Sequence, residues 1–200
     1  TAHYLLHRTY RVKAGDVVLV HAAAGGMGLI LCQWAKALGA TTIGTVSTAE
    51  KAEVAKAAGC HFPVVRSEKN FVDVVREVTS DEGCAVVYEA IGKDTLQDSL
   101  DSLRPMGVCA AYGHVSGPPD PVDIIQDLGR RGSLFITRPA IMHYVAKRAD
   151  LEWTARDLFQ AIGDGVISAN VNYEYELKDA VQAHKAIESG TTLGASVLIP

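Results

Sequence analysis

The stretch VVLVHAAAGGMGLILCQWAKALGA, residues 17–40, constrains the fold more than any other part of the sequence. A β-branched run typical of a buried strand stops at a segment with almost no side chains, and an apolar helical pattern follows at once. In a dinucleotide-binding unit, small residues at this point allow a tight turn, close approach of backbone N–H groups to a pyrophosphate, and close packing of helix on sheet. The stretch therefore predicts a Rossmann unit.

The loop matches the glycine fingerprint G-x-G-x-x-G in two of its three places. Ala23 stands in the first place, Gly25 in the second and Gly28 in the third. A helix that begins near Gly26 would direct its free N–H groups and its dipole at an anion. An alanine-rich helix start with a flexible hinge would show similar letters. The position between a strand and a helix favours dinucleotide binding.

Short runs rich in Val, Ile and Ala alternate with helical patterns over the first two thirds of the chain. We predict strands at 17–21, 41–46, 62–65, 85–90, 108–112 and 133–137. We predict helices near 26–38, 49–58, 70–79, 95–103 and 122–130, with Gly39 and Gly59 as C-terminal cap glycines. This alternation predicts an α/β fold with a Rossmann-type, doubly wound, parallel six-stranded sheet.

The alternation stops after Pro139. A long amphipathic helix at 150–162 is followed by a strand at 172–176, a helix at 178–188 and a strand at 195–199. These elements do not continue the βα series. We therefore predict a dinucleotide-binding domain with flanking helices over residues 1–168 and a C-terminal segment of another domain over 169–200.

Composition excludes several classes of protein. The formal charge is −4, with 48% hydrophobic and 21% charged residues, as in ordinary globular proteins and unlike a basic nucleic-acid binder. No window approaches the roughly 18 apolar residues of a membrane span, and the first residues do not resemble a signal peptide. We expect a soluble, cytoplasmic protein.

Cysteine and histidine spacing predicts no metal site. No C-x-x-C pair is present, and we expect buried free thiols at Cys32, Cys60, Cys84 and Cys109. His3 and His7 are four residues apart and could share a helix face, but no acidic residue or cysteine lies near them in the sequence. We interpret them as ordinary helix residues.

The end of the second predicted strand indicates which dinucleotide is preferred. NAD-preferring units carry an acidic residue there, which holds the ribose 2′-hydroxyl. Here the strand ends in Val46 and continues into Ser47, with Lys51 close by and Arg66 after the third strand. A hydroxyl and two cations favour the 2′-phosphate of NADP(H). Lys51 and Arg66 could instead be solvated surface charges.

Five segments together resemble the quinone oxidoreductase (zeta-crystallin) branch of the medium-chain dehydrogenase/reductase superfamily. They are HAAAGGMGLILCQWAKALGA, IGTVSTAEKA, VVYEAIGKDTLQDSLDSL, AAYGHVSGPPDPV and SLFITRP. The resemblance covers essentially the whole chain. It implies a zinc-free enzyme that transfers hydride from NADPH to a quinone or a similar electron-poor enone.

The same resemblance implies that the chain is the C-terminal, NADPH-binding part of such an enzyme. The GroES-like domain that precedes this part in relatives supplies residues facing the nicotinamide, and residues 169–200 would fold back on it. We therefore expect this part alone to be inactive, and we assign no catalytic residue and no metal ligand to it. The resemblance also implies a homodimer formed in part through the strand at 133–137.

Carried over position by position, the resemblance implies five groups of cofactor-binding residues. Gly25, Gly26, Met27 and Gly28 would line the pyrophosphate. Ser47 and Lys51 would hold the 2′-phosphate, with Arg66 at a position where relatives often have Tyr. Ala90, Ile91 and Gly92 would pass near the adenosine. Tyr112, Gly113 and His114 would lie beside the nicotinamide ribose, where relatives often have Asn in place of His114. Thr137 and Arg138 would lie near the nicotinamide edge.

Two alternatives stay open beside the quinone oxidoreductase. One is an enoyl or other zinc-free reductase of the same superfamily. The other is a non-enzymatic, crystallin-like protein that binds NADPH or RNA. A short-chain dehydrogenase is excluded because Tyr144 is followed at the required spacing by Arg148 instead of Lys, and a methyltransferase is disfavoured by the third glycine.

Overall fold

Six parallel strands form one sheet in the order β3-β2-β1-β4-β5-β6 in a computed structural model that describes residues 1–190 and 192–200. The strands are β1 Val17–Val20, β2 Thr41–Val46, β3 Phe62–Val65, β4 Cys84–Glu89, β5 Leu103–Ala111 and β6 Phe135–Thr137. Leu19 of β1 pairs with Ile43 on one side and Val87 on the other. The strand order reverses direction between β1 and β4, which confirms the predicted doubly wound sheet.

Helices cover both faces of the sheet. They are α1 Ala2–Tyr4, α2 Gly26–Ala37, α3 Ala49–Ala57, α4 Phe71–Thr79, α5 Leu96–Asp101, α6 Ile141–Tyr144, α7 Arg148–Gly163 and α8 Ala180–Glu188. α1 continues into a π-helical turn, Leu5–Thr9. The predicted cap glycines Gly39 and Gly59 both have positive φ, at +80° and +93°.

Alternate residues of each strand face two separate cores. Val18 and Val20 of β1 pack in a core that includes Leu31 and Trp34 of α2. Leu19 packs on the other face with a core that contains residues of α4 and α5. Burial on both faces explains why the strand sequences are continuously apolar. The four cysteines are buried free thiols, as predicted.

The structure corrects several predicted boundaries. β6 begins at Phe135 instead of 133, since Ser133 has a left-handed φ of +58°. β5 begins at Leu103 instead of 108. The strand continues through Met106, which has a φ of +60°, and its register against β4 is irregular there. The predicted helix at 122–130 is a shorter π-helical segment, Ile124–Gly129, capped by Asp123. The predicted helix at 178–188 begins with a 3-10 turn, Leu177–Asp179, before α8.

The C-terminal segment forms a small sheet of its own. β7 Val171–Glu176 pairs in parallel with β8 Ala195–Ile199. This sheet contacts the main body at the glycine loop, where Gly194 N–H donates to the carbonyl oxygen of Ala24 at 3.0 Å. Within residues 1–190 and 192–200, no helix has the length and apolar character needed to cross a bilayer.

Candidate functional site

The loop after β1 makes a tight turn that presents the start of α2. Ala22 has a left-handed φ of +51°, and its carbonyl oxygen accepts from Gly25 N–H at 2.9 Å. Ala23 N–H donates to the carbonyl oxygen of Thr45 in β2 at 3.0 Å. Gly25 is the N-cap of α2 and has no side chain to cap it. A parallel bridge pairs Gly25 with Gly194 beside this helix start. The N-terminus of a 12-residue helix without a side-chain cap is a type of site that can bind an anion.

Gly28 allows α2 to pack against this turn. A Cβ at Gly28 would lie 2.6 Å from Cα of Ala23 and would collide with the carbonyl oxygen of Ala22. Any side chain there would push the helix away from the loop. The third glycine of the fingerprint therefore has the close-packing role that its position predicts.

A cavity of 240 Å³ opens beside the glycine loop, at the carboxyl ends of the strands. It brings together predicted residues from four separate segments: Gly25, Ser47, Lys51, Arg66 and Ile91. The Lys51 ammonium donates to the carbonyl oxygen of Gly190 at 2.6 Å. The backbone N–H groups, one hydroxyl and two cations match the chemistry of a nucleotide with an additional phosphate.

A second group of predicted residues lies at the ends of β5 and β6. The Arg138 guanidinium donates to the carbonyl oxygen of Tyr112 at 2.7 Å, and its other terminal nitrogen lies 3.4 Å from Nδ1 of His114. Thr137 ends β6 and pairs with Ala110 of β5. Burial raises the pKa of Tyr112, so its phenol stays protonated. Arg138 thus ties the end of β6 to the loop that follows β5.

Two further predicted positions lie at the starts of their loops or helices. Met27, in the first turn of α2, is partly buried and packs against the hydrophobic core. Gly92 has a φ of +94° and lies with Ile91 in the turn after β4. The remaining predicted residues of these turns, Ala90 and Gly113, follow the ends of β4 and β5 in the same way.

Sequence reasoning missed a buried carboxylate at the end of β4. Glu89 is fully buried, and its Oε1 accepts from Ile91 N–H at 2.6 Å and from Gly92 N–H at 3.1 Å. Its Oε2 accepts from the hydroxyl of Ser99 at 2.5 Å, and Thr95 donates to both oxygens. Burial opposes ionisation, but His21 and these hydrogen bonds outweigh it and hold the pKa of Glu89 below its usual range.

His21, at the end of β1, was also missed. It is fully buried, with Nδ1 2.8 Å from the Thr45 hydroxyl and Nε2 2.9 Å from the Ser99 hydroxyl. Burial lowers the pKa of His21, against the opposing charge of Glu89. The available signal was the presence of polar residues at the carboxyl ends of adjacent buried strands, where this class of fold binds ligands.

The histidines near the N-terminus have an acidic neighbour that the sequence did not reveal. His3 Nε2 lies 3.1 Å from Oδ2 of Asp157 in α7, and the rings of His3 and His7 are 4.9 Å apart. Across the described part of the chain, no group of three or more His, Cys, Asp or Glu side chains is placed to hold a metal ion.

Comparison with known proteins agrees with this geometry. The zinc-binding dehydrogenase family matches residues 26–158. Over all 200 residues the chain is 54% identical to a 2-haloacrylate reductase of a Burkholderia species, and over 202 aligned residues it is 46% identical to a quinone oxidoreductase of Salmonella typhimurium. It spans 60% and 62% of their respective lengths.

A solved structure shows the same fold. The quinone oxidoreductase of Escherichia coli, crystallised as a complex with NADPH, superposes on this chain with a TM-score of 0.95 and 43% sequence identity. All of this chain is covered, together with 61% of that protein. The family resemblance inferred from the five sequence segments is therefore confirmed.

Proposed function

Because the chain belongs to the zinc-binding dehydrogenase family, within the medium-chain dehydrogenase/reductase superfamily, we propose that it is the NADPH-binding part of an oxidoreductase. The enzyme transfers hydride from NADPH to a quinone or a similar electron-poor enone. The observation that carries the proposal is the cavity that joins the glycine loop to Ser47, Lys51 and Arg66. When bound, NADPH supplies the hydride, and the protein supplies position and shelter from water.

The residues around the cavity fit NADPH better than NADH. The backbone N–H groups at the start of α2 are placed to bind the pyrophosphate. Ser47 and Lys51 are placed to bind the 2′-phosphate, with Arg66 as a second cation. Lys51 would exchange its hydrogen bond to Gly190 for a charge-assisted one to phosphate. β2 ends in Val46, so no carboxylate at its tip repels the phosphate.

The ends of β5 and β6 form the proposed nicotinamide side of the site. Tyr112, Gly113 and His114 would contact the nicotinamide ribose, with Thr137 and Arg138 at the ring edge. The hydrogen bond from Arg138 to the Tyr112 carbonyl oxygen supports this grouping. We assign no catalytic side chain and no metal ion, because the cofactor supplies the hydride and these residues would orient it.

We also propose the predicted division of the chain, with residues 169–200 packing against a domain beyond this chain. Val171, Leu177, Val181 and Ile187 are at least half exposed, which supports a surface that another domain covers. Hydride transfer would then need that domain to complete the substrate pocket. A cytoplasmic location remains a prediction.

The edge strand β6 supports a homodimer. β6 pairs only with β5 in the described sheet, which leaves one side of the strand open, and Phe135 on it is 60% exposed. An open strand edge with an apolar side chain is a surface that a second copy can cover. Sedimentation of the wild type and of Phe135→Glu tests this, with a dimer expected for the first and a monomer for the second.

A halogenated or other electron-poor unsaturated acid is the second candidate substrate. The 54% identity to a 2-haloacrylate reductase exceeds the 46% identity to a quinone oxidoreductase. Both substrate classes accept hydride at a carbon conjugated to a carbonyl group. The same cofactor site would therefore serve either reaction. Residues other than those described above would determine substrate specificity.

The decisive experiment uses the full-length protein with NADPH and NADH against quinones, enones and 2-haloacrylates. We expect tighter binding of NADPH than of NADH, turnover of at least one substrate class, and no turnover by this 200-residue chain alone. Equal affinity for the two cofactors would contradict the role of Ser47 and Lys51. Turnover by the chain alone would place the substrate site within it.

A further inference from the structure

We propose that His21, Ser99 and Glu89 form a buried hydrogen-bond chain that positions the cofactor-binding loops. They would act as positioning residues for NADPH, through the loop backbone, without touching the cofactor themselves. This inference rests on the proposed function.

The hydrogen bonds of this chain have one consistent direction. An ionised carboxylate only accepts, so the Ser99 hydroxyl donates to Glu89 over 2.5 Å. Ser99 then has lone pairs for His21, whose Nε2–H donates to it over 2.9 Å. Nδ1 of the neutral ring accepts from the Thr45 hydroxyl over 2.8 Å. Every donor therefore points toward the carboxylate, and no proton is left without an acceptor.

Glu89 fixes the two loops that follow β4 and β5. Its side chain accepts from the N–H groups of Ile91 and Gly92. Its backbone carbonyl oxygen accepts from the N–H groups of Tyr112 at 2.9 Å and Gly113 at 3.2 Å. One residue thus sets the positions of both the proposed adenosine loop and the proposed ribose loop.

At the other end of this hydrogen-bond chain, His21 and Thr45 fix the glycine loop. His21 precedes Ala22, which has a left-handed φ of +51° that a side-chain-bearing residue seldom adopts. Thr45 holds the His21 ring through its hydroxyl and Ala23 N–H through its carbonyl oxygen. The turn that presents the helix N-terminus is therefore held by hydrogen bonds at the residue before Ala22 and at the residue after it.

A buried polar chain of this kind is a costly way to fill the space between strands and helix. His21, Ser99 and Glu89 all have 0% exposure, and removing a charge and a ring from water is costly even when they are paired. Apolar side chains of similar volume would avoid that cost but would leave the N–H groups of Ile91 and Gly92 without their acceptor. A polar chain that ends on the N–H groups of the cofactor loops indicates a requirement for loop geometry.

The test compares two buried serines of the same region in the full-length protein. Ser99→Ala removes the hydroxyl that links His21 to Glu89 and leaves only their direct approach, 3.4 Å between Nε2 and Oε2. Ser102→Ala is the matched control, because Ser102 is 1% exposed and its hydroxyl donates to the carbonyl oxygen of Asp98, at 2.8 Å. The readouts are the Kd for NADPH by calorimetry, the melting temperature, and the amide NMR signals of Ile91 and Gly92.

We expect Ser99→Ala to raise the Kd for NADPH about tenfold, as the loss of a hydrogen bond to a charged group implies. It should also shift the Ile91 and Gly92 signals before NADPH is added. Ser102→Ala should lower the melting temperature with an unchanged Kd. If Ser99→Ala does not fold, Thr45→Val breaks the chain at Nδ1 of His21 at nearly constant volume, and the same shifts and a severalfold rise in Kd are expected.

The outcomes separate this inference from the proposed function. If the wild type does not bind NADPH, the proposed function itself is wrong. If the wild type binds NADPH and Ser99→Ala binds equally tightly, the positioning role is wrong and the function stands. An equal rise in Kd for Ser102→Ala would show that general loss of stability, and not the chain, controls affinity.

Discussion

The methyl group of Ala23 fills the space above Gly44 in the neighbouring strand. A Cβ at Gly44 would lie 2.7 Å from Cβ of Ala23 and 2.6 Å from Sγ of Cys60. Ala23 occupies the first place of the fingerprint, where glycine is usual. The substitution is tolerated because β2 has no side chain at the facing position. The two residues are thus complementary in size: Ala23 in the loop carries a methyl group, and Gly44 in the strand leaves room for it.

Gly44→Ala should destabilise the protein. The added methyl group has to displace Ala23 or Cys60, and overpacking of this kind costs about 1–3 kcal/mol. The free energy of urea unfolding measures the loss. Gly163→Ala is the control, since a Cβ there has no heavy atom within 4 Å and α7 should gain slightly in stability. Ala23→Gly combined with Gly44→Ala should recover part of the loss, and no recovery would argue against the pairing.

Lys51→Gln should weaken NADPH binding selectively. Loss of one charge-assisted hydrogen bond to the 2′-phosphate should cost about 1.5–3 kcal/mol, or roughly one to two powers of ten in Kd. NADH lacks that phosphate, so its affinity should not change. Lys56→Gln in the same helix is the matched control, because Lys56 lies on the exposed side of α3 away from the cavity. A parallel loss of NADH affinity would point to a defect of the loop.

Stability should decrease as the pH falls through the range where histidine ordinarily titrates. Burial lowers the pKa of His7, with His3 and Arg11 acting in the same direction and Asp157 opposing them. The unfolded chain then takes up the proton at the ordinary value of about 6.5 while the folded chain does not. The neutral, buried His7 therefore makes its full contribution to stability above that value. Below it, the free energy of unfolding decreases by up to about 1.4 kcal/mol per pH unit.

His7→Phe should reduce this slope and keep the ring contact with Trp34, now at 5.0 Å between centroids. His21 is also buried with a lowered pKa, so part of the slope should remain. Unfolding by urea at pH 5 to 8 gives the comparison, and an unchanged slope in His7→Phe would exclude its contribution.

Thiol reagents should not reach the cysteines of the folded protein. Burial raises the pKa of Cys84 to about 12 and also raises that of Cys109. The neighbouring Cys60 thiol raises the pKa of Cys32, and Cys32 in turn lowers the pKa of Cys60. At pH 8 we expect no labelling of the native chain and four labels in urea. If slow labelling occurs, Cys60 should react first. Rapid labelling of Cys84 would contradict the packing of β4.

The sequence predicted the parts of the fold that depend on residues close together along the chain. The strands were visible because burial on both faces requires uninterrupted apolar runs, as in β4. The start of β5 was not visible, because the letters RPMG are typical of a loop and the strand passes through them only by a local irregularity. The π-helical segment at Ile124–Gly129 had an ordinary helical pattern, so its different backbone could not be inferred.

The candidate site shows the same difference between local features, which the sequence predicted, and contacts between residues far apart in sequence, which it did not. The fingerprint predicted the glycine loop because its chemistry is local. The buried polar chain was missed because its members come from three elements, and His21 and Ser99 are 78 positions apart. In the sequence each is a polar residue beside an apolar run, and only the paired strands and α5 bring them together. Lys51 lies at the cavity, where its role toward the 2′-phosphate stays a prediction, and its contact with Gly190 was not foreseen.

The hydrogen bond from Gly194 to Ala24 has a consequence for the order of events during synthesis. The glycine loop leaves the ribosome well before the segment that lies against it. Contacts of such high sequence separation form late, after the loops between them have closed. The pocket is therefore completed only once Gly194 has emerged, and a nascent chain cannot acquire full affinity for a nucleotide before then.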